Sequence, residues 1–447
     1  MVTGRFVVDT VAWAVGTLEV GASALVVTPT VDDAGRIGAA LRAGFGARVV
    51  VAHSGLPNRE RTAAWARFAA TPGTILVGTR ETALWPSPSL GLAVVVEDGR
   101  RALVSPQMPT YRVREVLRRR AAVERFPLVL VGPVPTVEAL AAGPTVWEQP
   151  GRIWPVVEVV DRTEEPPGSP LVSERVRMAL RRVVAGGGRA FVLTRRRGDA
   201  PALRCVACGT VRRCGCGATG VAAGRCGRCG AEVGACGCGG RRFEALGAAV
   251  GAVVDDLRRS LGGDVGDPQA TRPVTVGTVR DLPPPGSVDL AVCVDTDAFV
   301  FAPNHTAAED ALRVLARLAL AVAPGRGRRA MVQTTVPDHR VLRALRRGRP
   351  LDFLTEELDE RRALGLPPAV AVLAVDTDGD AASVDADLRR LTAGEGEVLG
   401  PLEVGSGRRW LLRGAELRRT RIRLRGFVQE LRDGGATVRI EVDPVDL

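Results

Sequence analysis

Eight of the nine cysteines fall within 34 residues, at Cys205, Cys208, Cys214, Cys216, Cys226, Cys229, Cys236 and Cys238. They form four pairs, two spaced C-x-x-C and two spaced C-x-C, set among glycines with few large apolar neighbours. A segment of that composition cannot bury a core of its own, so metal must hold it together. Paired cysteines in Gly-rich turns are the form of zinc knuckles and ribbons, and two tetrahedral four-cysteine sites would use all eight thiolates. Two zinc ions are therefore the expected cofactors. An iron–sulfur cluster is the alternative, while four disulfides do not suit a reducing compartment. Spacing alone leaves adjacent and nested sharing of the pairs both open. The ninth cysteine, Cys293, lies in an apolar strand and reads as a small buried residue.

The cysteine segment interrupts an α/β pattern. Apolar runs at 24–28, 48–53, 74–77, 93–96 and 127–131 read as buried strands, with helical patterns at 32–43 and 59–69 between them. Strands alternating with helices imply a parallel, doubly wound sheet. A Pro/Gly/Glu-rich stretch at 162–170 reads as a linker or a crossing between lobes. A second α/β pattern follows, with helices at 171–184, 248–261 and 307–322 and strands at 190–194, 274–277, 290–295 and 330–334. From residue 353 the pattern changes to a helix, a strand at 369–376, a helix, and strands at 410–413 and 437–443, an α+β end domain. The domains are expected at 1–160, at 161–204 with 243–350, at 205–242 for the cysteine insertion, and at 351–447.

All 61 basic residues are arginine, and the formal net charge is +11. A GC-rich genome favours arginine codons, so part of this bias is compositional. The positive field still attracts polyanions, and arginines cluster at 112–120, 195–197, 326–329, 340–349 and 418–425. With a zinc module present, nucleic acid is the expected partner, and Arg195, Arg196 and Arg197 are the arginines assigned to DNA phosphate. His53, His305 and His339 lie too far apart to suggest a catalytic set, and no nucleophile–base arrangement is evident. Residues 186–188 read as a turn. No apolar run reaches membrane-span length, and the first six residues lack a secretory layout. A cytoplasmic, nucleoid-associated location is expected.

The words around the cysteines carry a resemblance. Residues 190–204, followed by Cys205-Val206-Ala207-Cys208-Gly209, resemble the second helicase lobe and eight-cysteine insertion of the primosomal protein N′ (PriA) family of replication-restart helicases. His53-Ser54-Gly55-Leu56 with Glu60, Arg61 and Trp65, then Gly78-Thr79-Arg80 with Ala83 and Leu84, resemble earlier family stretches in the same order. So do residues 109–115, residues 333–337, Glu357-Leu358 with Pro367-Pro368, and the closing Val442-Asp443-Pro444. The resemblance implies two RecA-like lobes, a double-zinc insertion in the second and a C-terminal α+β domain. It also favours the nested arrangement, with Cys205, Cys208, Cys236 and Cys238 on one ion and Cys214, Cys216, Cys226 and Cys229 on the other.

Two departures bear on function. The family's N-terminal DNA-binding region has no counterpart, which implies a truncated gene or a start site lying further upstream. The second departure is the ATPase machinery. A phosphate loop needs a lysine on the phosphates and a Ser/Thr hydroxyl on magnesium; this chain has no lysine and offers only Val2-Thr3-Gly4-Arg5-Phe6 at that position. Arginine's planar fork does not fit a point-charge pocket. The acidic box falls on Val96-Glu97-Asp98-Gly99, where Val96 replaces the metal-binding aspartate and cannot coordinate a hard cation. The third motif becomes residues 132–136. In the last, which spans 319–326, Ala319 and Ala323 replace a glutamine and an arginine and only Arg326 survives. Residues 99–110 hold no aromatic, and Tyr111 stands just beyond.

The reading is a fork-recognition scaffold without helicase activity. It binds branched DNA and single-strand/duplex junctions and helps reload the replicative helicase, with the zinc module docking that helicase or a single-strand-binding protein. The alternatives are an ATP-dependent 3′-to-5′ helicase with an unorthodox nucleotide site, and a zinc-module interaction protein with no DNA role.

Overall fold

The computed structural model describes the chain except for residues 106–109, 167–168, 196–201, 209, 213, 215–220, 223, 227–229, 247–248, 303, 405–406 and 445–447. It divides into two units, residues 1–153 with 350–358 and residues 154–349 with 359–447.

Unit 1 runs β1 (Val2–Thr3), α1 (Val7–Gly16), β2 (Ser23–Val27), α2 (Val31–Phe45), β3 (Val49–Ala52), α3 (Asn58–Ala70), β4 (Ile75–Gly78), β5 (Leu90–Val96), α4 (Val113–Glu124), β6 (Leu128–Gly132), α5 (Val137–Ala141) and β7 (Trp147–Glu148). Its strands form one parallel sheet in the order β3-β4-β2-β5-β6-β1-β7. Successive strand residues serve opposite faces. Ala24 and Val26 pack with Val11 and Val15 of α1 and Ile37 and Leu41 of α2, while Leu25 and Val27 pack with Phe68 of α3 and Leu117 of α4. Both faces are covered, so these strands read as unbroken apolar runs. α2 starts where Thr30 accepts a hydrogen bond from the Asp33 amide (3.1 Å) and stops at Gly46, whose φ is +56°.

Unit 2 holds the second parallel sheet: β8 (Val157–Asp161), α6 (Glu174–Ala185), β9 (Ala190–Leu193), then the cysteine segment with β10 (Ala202–Cys205), β11 (Val221–Ala222), β12 (Arg225–Cys226) and β13 (Phe243–Leu246). The lobe resumes with α7 (Val250–Leu261), β14 (Val265–Gly266), β15 (Val274–Gly277), β16 (Leu290–Cys293), α8 (Thr296–Val300), α9 (Ala307–Leu320), β17 (Arg329–Thr334) and α10 (Arg340–Arg347). The sheet order is β14-β15-β9-β16-β17-β8. The boundary expected at 160/161 therefore cuts through a strand of this sheet, since Val157–Asp161 pairs with Ala330–Thr334. The described residues of the stretch at 162–170 fall within unit 2. Arg162 anchors it by donating to Glu165 and to the Pro170 and Leu171 carbonyls.

Two buried charge clusters brace this unit. Asp256 of α7 accepts from Arg177 of α6 (2.5 Å), from Arg259, and from the Val172 amide (3.0 Å). Glu309 of α9 accepts from Arg313 and from Arg361 (2.8 Å), and all three are at least 94% buried.

Arg361 belongs to α11 (Leu351–Leu364), which leads to β18 (Ala371–Thr377), α12 (Ala381–Thr392), β19 (Gly396–Val404), β20 (Gly407–Gly414), α13 (Arg418–Asp433) and β21 (Val438–Val442). These strands make an antiparallel sheet, β19-β20-β18-β21, the expected α+β end domain. Sequence reading misses β19 because Gly400-Pro401 interrupts it. Proline is tolerated there because β19 is an edge strand with a bulge between Leu399 and Leu402. It misses α13 because five of its first eight residues are arginine. That helix starts without a cap from its own flank. Instead Glu395 accepts from the Arg419 and Thr420 amides (2.9 and 2.7 Å), and these bonds, the Arg419 amide first, hold its carboxyl below the ordinary range. Among the described residues no helix is long and apolar enough to cross a membrane.

Candidate functional site

The cysteine segment leaves the second sheet after β9 and folds back as an antiparallel pair, β10 with β13, in which Cys205 stands opposite Phe243. The chain turns after Cys205, so the Cys205 amide reaches the Thr210 carbonyl (2.9 Å) and Arg212 bonds back to Leu203 (2.7 Å). A second turn closes Cys236–Gly240, with the Cys236 amide on the Gly240 carbonyl (3.0 Å). The two turns bring Cys205, Cys208, Cys236 and Cys238 together, with all four Sγ atoms within 4.8 Å of one another.

The spacing suits a metal. Cys205 and Cys238 Sγ are 3.7 Å apart, and Cys208 and Cys236 Sγ 3.6 Å. A tetrahedron with zinc–sulfur bonds of about 2.3 Å has edges of about 3.8 Å. Gly240 is required by the crowding: a Cβ there would lie 2.7 Å from Cys205 Sγ and 3.2 Å from Cys238 Sγ. Hydrogen bonds from the Thr210 hydroxyl and amide lower the Cys208 thiol to about 6, toward the thiolate form that ligates metal. Neither Thr210 nor Gly240 stands out in the sequence, because each acts only once the turns have closed.

These four cysteines are the outer set of the nested arrangement. Of the inner set, Cys214 is half-buried and Cys226 buried, while Cys216 and Cys229 lie outside the described residues. Cys293 is wholly buried, and burial pushes its thiol up to about 12, which suits an inert core residue. Arg195 is exposed at the end of β9 and donates to the Ala298 carbonyl; Arg196 and Arg197 lie outside the described residues.

The position of the absent phosphate loop lies in unit 1. Between β1 and α1 only Gly4, Arg5 and Phe6 remain. The Gly4 amide bonds the Gly132 carbonyl (3.1 Å), the Arg5 amide bonds Gln149 Oε1 (3.1 Å), and the Arg5 guanidinium stacks 4.5 Å over the Phe6 ring. A phosphate cradle works through backbone amides that point at the ligand, and here two of them are engaged within the protein. Val96 is buried in the core. Glu97, at φ +50°, pairs with Arg100 (2.7 Å). Asp98 accepts from Arg114 (3.0 Å) and Thr136 (2.7 Å), a buried cluster that sequence reasoning did not find. Ala319 is buried, and Arg326 is exposed in a turn.

No protein-family profile matches the chain. The chain is 28% identical to the probable replication restart protein PriA of Mycobacterium leprae, over 96% of its own length and 74% of that protein's. It is 28% identical to the protein of that name from Mycobacterium tuberculosis strain H37Rv, over 88% of this chain and 66% of that one. Among solved structures it is similar to RecG bound to three-way DNA junction, with 11% identity and a TM-score of 0.45 over 78% of this chain and 41% of that one.

Proposed function

Since the chain belongs to the replication restart protein PriA family, we propose that it serves replication restart as a DNA-binding scaffold that does not hydrolyse ATP. In this reading it recognises stalled or branched forks through arginine surfaces and helps reload the replicative helicase, while two zinc ions hold the cysteine module. The zinc module is the docking element for the helicase or a single-strand-binding protein.

One observation carries the loss of the motor. At the phosphate-loop position the Gly4 and Arg5 amides are bonded to Gly132 and Gln149. With no lysine anywhere in the chain, neither the amide cradle nor the cation of a nucleotide site is available. Glu97, in the acidic-box position, is paired with Arg100. The test is ATP hydrolysis by the purified chain with saturating fork DNA. The expected result is no DNA-stimulated turnover, and the same background for Glu97→Gln. Stimulated turnover that disappears in Glu97→Gln would restore the helicase reading.

A further inference from the structure

Described residues of the cysteine module line a cleft whose wall includes none of the eight cysteines. It has a volume of about 440 Å³ and is lined by Leu203 of β10 and Phe243 of β13. Leu203, Val233 and Phe243 give it an apolar wall, and Arg212 and Arg241 line it as cations. Arg212 holds its guanidinium 5.0 Å from the centre of the Phe243 ring. Neither Arg212 nor Arg241 has an ion pair among the described residues. Glu232, one of two acids in residues 202–246 against seven arginines, is taken by Arg225 at 3.4 Å. Two filled tetrathiolate centres would each carry two negative charges and cancel most of that excess. Of those arginines, Arg212 and Arg241 are the two that line the cleft.

An aromatic ring, an arginine stacked on it and a second free arginine form a platform for one planar base with phosphate on either side. A paired base is held inside its duplex and cannot enter such a cleft; an unpaired one can. We propose that this cleft is a subsite for single-stranded DNA, holding one unpaired nucleotide with its base against Phe243 and its flanking phosphates on Arg212 and Arg241. The proposal rests on the DNA-binding reading above and names the part of a fork that the module would grip. An acidic peptide is the competing occupant, but a flat stack of arginine on phenylalanine favours a base over a flexible carboxylate side chain.

The test uses the zinc-loaded full chain with a fluorescein-labelled twelve-residue oligo-dT, a matched duplex and a three-way fork. The variants are Phe243→Leu and the double variant Arg212→Gln/Arg241→Gln, each assayed for zinc content. Phe243→Leu should weaken oligo-dT binding roughly tenfold, the range of one lost stacking contact. The double variant should weaken it and flatten the log–log salt slope by about 1.4, or about 0.7 for each phosphate released from a single strand. Duplex binding should not change. Should Phe243→Leu lose zinc, the double variant decides, because its changes leave the apolar wall intact. Unchanged oligo-dT affinity and slope in a zinc-replete double variant overturn the proposal. So does a double variant that loses only an acidic fluorescein-labelled peptide. A wild-type chain with no preference for the fork over the duplex fails the wider reading; a wild type that keeps the preference, with indifferent variants, fails the cleft alone.

Discussion

Replacing Cys205 by serine is expected to remove one of two zinc ions and to unfold the cysteine module while the parallel sheet into which it is inserted stays folded. The module has no apolar core to fall back on. Among its described side chains only Cys205, Cys226 and Cys236 are buried, and all three are expected ligands. Structural zinc sites contribute about 10–16 kcal/mol of apparent binding free energy at neutral pH. A serine hydroxyl does not supply the missing thiolate, so most of that term is lost for this ion. The segment leaves the sheet after β9 and returns at α7, whose Val253 and Leu257 pack in the lobe's own core. Metal analysis should read one ion per chain, and limited proteolysis should cut within 202–246 ahead of any site in the lobes. An intact, protease-resistant module holding two ions would mean that Cys205 is not a ligand. Cys293→Ser, at a buried strand site outside the thiol cluster, should keep both ions.

Glu309→Ala should be the most destabilising single change in the second lobe, at about 3–5 kcal/mol. Glu309 is 2% exposed and serves both Arg313 on its own helix and Arg361 on α11. Its removal leaves two guanidinium groups facing each other in a site closed to water. Arginine does not shed its proton to relieve that cost. Arg313 keeps Asp310 as a second partner (2.6 Å). Arg361→Met combined with Glu309→Met should recover much of the stability, because both the charge and its partner are then gone. Urea unfolding followed by circular dichroism checks both. A Glu309→Ala midpoint close to wild type would show that water reaches the cluster.

Much of the fold is legible in the sequence where one kind of signal suffices. The buried parallel strands announce themselves as short runs such as Ser23–Val27 and Leu290–Cys293, because helices cover both faces and no polar alternation is needed. The eight cysteines announce a metal module by count and spacing. What the sequence conceals depends on partners distant along the chain. Val157–Asp161 is a strand only because Arg329–Thr334 lies beside it. Arg418–Asp433 looks like a run of charge until Thr420, Leu424, Phe427 and Val428 are seen to share the buried side, and its cap, Glu395, comes from another element. The site follows the same division. The four thiols that meet belong to pairs about 30 residues apart, and Thr210, Gly240 and the Arg212–Phe243 stack take on meaning only after closure.

Fork recognition without a motor is tested most directly by a fluorescence-anisotropy titration of the zinc-loaded chain. The titration compares a three-way fork with a duplex of matched length across a salt series and without nucleotide. Tighter binding to the fork is expected, with a steep negative slope of log affinity on log salt as arginines displace counterions, about 0.9 for each duplex phosphate engaged. Weak binding that is equal for the two DNAs at every salt concentration would contradict it.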